Sequence, residues 1–164
     1  MPVIDVHQDP ANRTLQIIAR FDAAPSRVWQ IYADPRQLEQ VWGPPSHPAT
    51  FVQHELRPGS RTHYFMTGPD GEKYAGFWDV TAVDAENSFD FDDGFALNAD
   101  DFTPDPNLPV SKNTYRFAAD GDGTRAEFTS VYDTEEALTK VLEMGVVEGA
   151  TAAINQIDGL LGAD

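Results

Sequence analysis

After Thr134-Glu135-Glu136 the chain carries its apolar residues at a period that only a helix can use. At about 100° per residue, Leu138, Leu142, Gly145, Val146, Gly149, Ala153, Ile157 and Leu160 share one broad face. Lys140, Glu148, Thr151, Asn155 and Asp158 fall opposite. The spacing predicts one long amphipathic helix over about residues 134–161. Thr134 can cap it, and the two glutamates suit its positive end. A helix with one apolar stripe must bury that stripe against another layer, so the rest of the chain has to supply a sheet.

The preceding sequence reads as strands. Leu15, Ile17, Ala19 and Phe21 alternate with mostly polar residues, the pattern of a half-buried strand. Pro25-Ser26 opens a short helix with Val28, Trp29, Ile31 and Tyr32 at helical spacing, and Pro35 begins a second that ends at Trp42-Gly43-Pro44-Pro45. Turns at Arg57-Pro58-Gly59-Ser60, Gly68-Pro69-Asp70-Gly71 and Asp120-Gly121-Asp122-Gly123 separate further strand-like runs. A strand, two short helices, a run of antiparallel strands and a last helix make an α+β domain spanning residues 1–164, with no repeat and no linker. The irregular stretch 94–109, with three prolines, is expected to form a mobile edge of whatever site the fold builds.

Charge and composition exclude several functions. Eleven Lys and Arg against 27 Asp and Glu give a net charge of −16, so no basic patch for nucleic acid or an anionic membrane can be assembled. There is no cysteine, which removes disulfide scaffolds, thiolate catalysis and Cys-ligated zinc. No run is long enough for a membrane span and the first residues lack the pattern of a signal peptide, so a cytoplasmic setting is expected. The serines have no nucleophile-elbow context, and the acidic run from Asp79 to Asp105 lacks the spacing of a calcium loop. It reads as a solvated acidic face, a surface for a basic protein partner.

The segment Phe21-Asp22-Ala23-Ala24-Pro25-Ser26-Arg27-Val28-Trp29 resembles the strand-to-helix opening of the START, polyketide-cyclase and birch-allergen superfamily. Trp42-Gly43-Pro44, Leu56-Arg57-Pro58-Gly59 and Gly68-Pro69-Asp70-Gly71 are similar to the branch related to the activator of the heat-shock-protein-90 ATPase, which also contains a calicheamicin-binding resistance protein. Phe91-Asp92-Asp93-Gly94-Phe95 and Met144-Gly145-Val146-Val147-Glu148-Gly149 resemble a bacterial subgroup of it. Position 60 departs, with Ser where relatives commonly carry Gly. The resemblance implies a helix-grip fold, a curved antiparallel sheet wrapped around a long C-terminal helix, with a cavity between them for a hydrophobic molecule.

If Leu56 pairs with Arg61 across the turn, His54 faces His63 on one side of the hairpin with Val52 and Phe65, either inside the cavity or, after a one-residue slip, in solvent. The candidate lining is Trp42, His54, His63, Phe65, Tyr74, Trp78, Phe91, Tyr115, Leu142, Gly145, Val146 and Gly149. Aromatic and aliphatic groups would bind, and His and Tyr groups would orient. Gly145 and Gly149 either admit close sheet packing or leave open volume. The expected partner is a lipid-, polyketide- or aromatic-like small molecule, with no cofactor, metal or nucleic acid and no insertion into a membrane. Two other readings are a co-chaperone-like role on an external surface and a small cyclase or hydrolase using His54 and His63 as acid and base.

Overall fold

The computed structural model describes residues 2–162. Its strands are β1 (Val3–Asp9), β2 (Thr14–Phe21), β3 (Ala49–Gln53), β4 (Arg61–Thr67), β5 (Lys73–Asp84), β6 (Ser88–Phe95), β7 (Ser111–Asp120) and β8 (Gly123–Val131). Two short helices, α1 (Pro25–Ala33) and α2 (Pro35–Leu38), follow β2, and three helical segments close the chain: α3 (Glu135–Glu143), α4 (Val146–Asn155) and α5 (Ile157–Gly162). All eight strands form one antiparallel sheet in the order β1-β2-β8-β7-β6-β5-β4-β3. This is the α+β helix-grip architecture, a curved sheet holding C-terminal helix.

Strand β1 is an addition to the sequence reading. Its side chains are mostly exposed and show no alternation, and its register slips between Val3 and Asp5. What holds it is the hairpin through Pro10–Asn12, closed by Arg13 in a left-handed conformation, and a bond from the Val3 amide to Asn155 Oδ1 at 3.2 Å. Ser60, the departure noted above, also has a local job. Its hydroxyl donates to the Glu55 and Arg57 carbonyls at 2.6 and 2.8 Å, closing the turn before β4.

The core lies on the inner face of the sheet beneath α1 and α2. Trp78, Phe51, Phe89, Phe91, Ile31 and Leu38 are almost completely buried there. Trp78 stacks on Phe91 with ring centroids 4.1 Å apart. Each such side chain contributes about 1.5–3 kcal/mol through burial. A smaller cluster of Leu15, Tyr132, Leu138 and Val141 seats α3 at the other end of the sheet.

The C-terminal helix is not continuous, contrary to the periodicity reading. Thr134 caps α3 as expected, accepting from the Ala137 amide at 3.0 Å. The helix then stops at Met144, and Gly145 adopts φ 86° and ψ 28°, a left-handed conformation that redirects the chain into α4. A period of 3.6 continues through such a break because one aberrant residue hardly disturbs it. Gly145→Ala is therefore expected to destabilise the protein by about 1–2 kcal/mol, the usual penalty for a Cβ in that region. Urea unfolding of the two proteins measures it, and equal midpoints would show that the break is not set by this residue.

Candidate functional site

Sheet and helices do not pack flush. Between the inner face of β2, β4 and β6–β8 and the segments α3 and α4 lies a cavity of about 350 Å³. Leu15, Ile17, Phe128, Val141, Val146 and Ile154 make up much of its apolar wall. Gly149 stands on the cavity side of α4, and a Cβ built there meets no atom within 4 Å. Of the two alternatives for this glycine, open volume is the one observed.

One side of the cavity is polar, and the strand alternation explains why. In β6, Phe89, Phe91 and Asp93 point to the same face, so a row that begins in the core ends with a carboxyl at the cavity wall. The Tyr64 hydroxyl donates to Asp93 Oδ1 at 2.9 Å. Tyr64 reaches that position because its cross-strand partner is Gly76, where any Cβ would overlap the tyrosine ring. Beside this pair, the Ser130 hydroxyl donates to Asn113 Oδ1 at 2.6 Å, and Asn113 Nδ2 donates to Ser111 Oγ at 2.9 Å. The hydroxyls of Tyr32 and Tyr115, also at the wall, make no hydrogen bond to a described residue.

Burial dominates the ionisation of this belt. It raises Asp93 to about 7, outweighing the opposing effect of the Tyr64 hydrogen bond. Burial likewise pushes Tyr64 and Tyr115 well above the usual phenol range and Tyr132 to about 12. The tyrosines are thus neutral donors at physiological pH, while Asp93 exchanges its proton near neutrality. Sequence reasoning missed Asp93, which it grouped with the solvated acidic run. The signal that could have found it is the alternation Phe89, Phe91, Asp93.

Five of the twelve sequence-derived candidates stand at the cavity: Trp42, Tyr115, Gly145, Val146 and Gly149. The others are elsewhere. Trp78 and Phe91 belong to the packed layer of the core. Leu142 packs against the smaller cluster. Tyr74 pairs with Met66 but lies at the end of the strand, half exposed beside the His47 ring.

The histidine pair is not formed. A bulge between Phe51 and Gln53 sets Gln53, not His54, opposite His63. His54 lies next to Trp78 and bonds the Thr62 hydroxyl at 2.8 Å through Nδ1 and the Tyr32 carbonyl at 2.7 Å through Nε2. A carbonyl only accepts, so Nε2 carries the proton and Nδ1 accepts from Thr62. His54 thereby satisfies a carbonyl in the last turn of α1 that the helix cannot. Burial lowers its pKa, in keeping with a neutral structural ring.

His63 and Phe65 alternate with the inward Tyr64 and Met66 and so lie on the opposite face of β4. There His63 stacks on Phe102, with centroids 4.4 Å apart. Phe102 is 4% exposed and holds φ 56°, a conformation that few aromatic residues adopt. It pins the middle of the irregular stretch to the outer face. Gly94, Phe95 and Pro109 of that stretch reach the cavity, so its ends border the site while its centre is anchored on the outer face. Among the described residues no group of three or more His, Asp or Glu is placed to hold a metal. No helix among them is long and apolar enough to cross a membrane.

Known proteins agree with this architecture. The family model described as Activator of Hsp90 ATPase homolog 1-like protein matches residues 22–162. The crystal structure of protein Ms6760 from Mycobacterium smegmatis is 62% identical, with a TM-score of 0.89 over 98% of this chain and 97% of that one. The solution structure of a protein from Arthrobacter aurescens is 42% identical, with a TM-score of 0.93 over 99% and 93%. A Staphylococcus epidermidis protein at 22% identity and a TM-score of 0.83, over 98% of this chain and 94% of that one, shares the fold. No curated protein matches the chain. The chain belongs to the family of Activator of Hsp90 ATPase homolog 1-like proteins, a branch of the START, polyketide-cyclase and birch-allergen superfamily.

Proposed function

We propose that this member of the family binds a hydrophobic small molecule in the cavity between the sheet and α3–α4. The observation that carries the reading is the open volume itself, about 350 Å³ with aliphatic and aromatic walls and a polar belt confined to one side. Interiors ordinarily pack with few voids larger than a water molecule, so a space of this size and composition is a binding pocket rather than a packing defect. Trp42, Val146, Phe128 and the open side of Gly149 supply apolar contact, and Asp93, Tyr64 and Tyr115 orient one polar end of the guest.

A neutral fluorophore tests this directly. N-phenyl-1-naphthylamine, titrated into the protein, should brighten and saturate with a micromolar Kd, equivalent to about −8 kcal/mol. Native mass spectrometry of gently purified protein should also show a non-covalent guest or accept the fluorophore at one equivalent. Absence of any saturable signal, in a protein that is folded by circular dichroism, would overturn the reading.

A further inference from the structure

The cavity wall bears a carboxyl group but no ammonium or guanidinium. Among the described residues Asp93 is its only acidic one, and no Lys or Arg reaches the lining. The remaining titratable groups there are His47 and the four tyrosines 32, 64, 115 and 132. Tyr64 occupies Asp93 Oδ1, while Oδ2 has no hydrogen-bond partner among the described residues. An apolar acid entering this space would set a second negative charge beside Asp93 with no cation to offset it. A lipophilic amine meets the reverse situation. Its ammonium finds an acceptor in Oδ2, and Trp42, Tyr32 and Tyr115 line the same space, aromatic rings of the kind whose faces attract a cation. The net charge of −16 further enriches cations and depletes anions around the molecule.

We propose that the cavity selects lipophilic amines over acids and alcohols of the same shape, with the ammonium paired to Asp93 and the apolar body against α4. The proposal rests on the cavity reading above and adds the chemical class of the guest. Burial, which raises Asp93 toward neutrality in the free protein, acts in the same sense. An arriving cation stabilises the ionised form, so the carboxyl releases its proton as the amine binds.

Three matched probes decide it at pH 8, namely 1-naphthalenemethylamine, 1-naphthalenemethanol and 1-naphthoic acid, each titrated by calorimetry. The amine should bind about ten-fold or more tighter than the alcohol, the ratio expected for a hydrogen bond to a charged group. The acid should bind more weakly than either. Asp93→Asn should bring the amine and the alcohol to similar affinities, whereas Tyr64→Phe, which keeps the carboxylate, should retain the preference. The parent-protein ratio is decisive even if a variant folds poorly. An alcohol that binds as tightly as the amine, or an acid that binds best, overturns the amine proposal and leaves the cavity reading standing. Failure of all three to bind overturns both.

Discussion

Gly149→Phe is expected to remain folded, to melt at or above the parent temperature, and to lose apolar-ligand binding almost completely. The new side chain has somewhere to go, because a Cβ at this position meets nothing within 4 Å and the residue borders the cavity. Removing glycine from the interior of α4 contributes a few tenths of a kcal/mol through helix propensity. Burying the phenyl ring contributes about 1.5–3 kcal/mol more if it turns fully inward. For a domain of this size each kcal/mol corresponds to about 2–4 °C in Tm. The same ring removes the volume a guest needs. A ligand at a hundred times its Kd stabilises the parent by about 2.7 kcal/mol, and the variant should show almost none of that shift. Thermal unfolding with and without N-phenyl-1-naphthylamine reads both quantities in one experiment. An unfolded variant, or one that keeps the full ligand shift, would place the pocket wall elsewhere.

The contrast between the two helix glycines shows what a sequence can and cannot carry. Both sit on the apolar face of the wheel and look equivalent at a period of 3.6. Gly145 is there for a backbone conformation and Gly149 for an empty space, and neither property alters hydrophobic periodicity. Elements with their own local chemistry were legible. Pro25 and Pro35 begin α1 and α2, and the Asp120-Gly121-Asp122-Gly123 turn joins β7 to β8 with Gly121 at φ 59°. The family and its fold were also legible, because several short motifs recur in order along the chain.

Register was not legible. One extra residue in β3, between Phe51 and Gln53, moves His54 off the ladder and sets Gln53 opposite His63, so the cross-strand pair that a regular Leu56–Arg61 register would form does not exist. Strand β1 was missed because an edge strand exposed on most of its residues has no pattern to show. Asp93 was hidden differently. It stands beside Asp90 and Asp92, which alternate onto the opposite face of β6, and reading the run by charge concealed what reading it by parity reveals.

Replacing that carboxyl should change how stability depends on pH. In the folded protein Asp93 titrates near 7, against an ordinary value of 3.8. Between those values the folded state holds a proton that the unfolded chain has released, so stability falls as pH rises through the window, by about 1.4 kcal/mol per unit. Above about 7 both states are ionised and the loss is complete, at most about 4 kcal/mol and less where water in the cavity screens the charge. Asp93→Asn retains an oxygen to accept from Tyr64 but carries no charge. It should therefore match the parent near pH 4 and exceed it by about 2–4 kcal/mol at pH 8. The groups facing Asp93 do not interfere, since Tyr64, Tyr115 and Tyr132 stay neutral throughout. His54 acts in the opposite sense. Its lowered pKa costs stability as pH falls below the ordinary histidine value, but parent and variant share that loss and it cancels in the difference. Urea unfolding at a series of pH values measures the difference curve. A curve that is flat, or that favours the parent at pH 8, would mean that Asp93 ionises without penalty. A rising curve would identify a carboxylate that destabilises its own empty cavity, and a bound ammonium is the partner that would offset that cost.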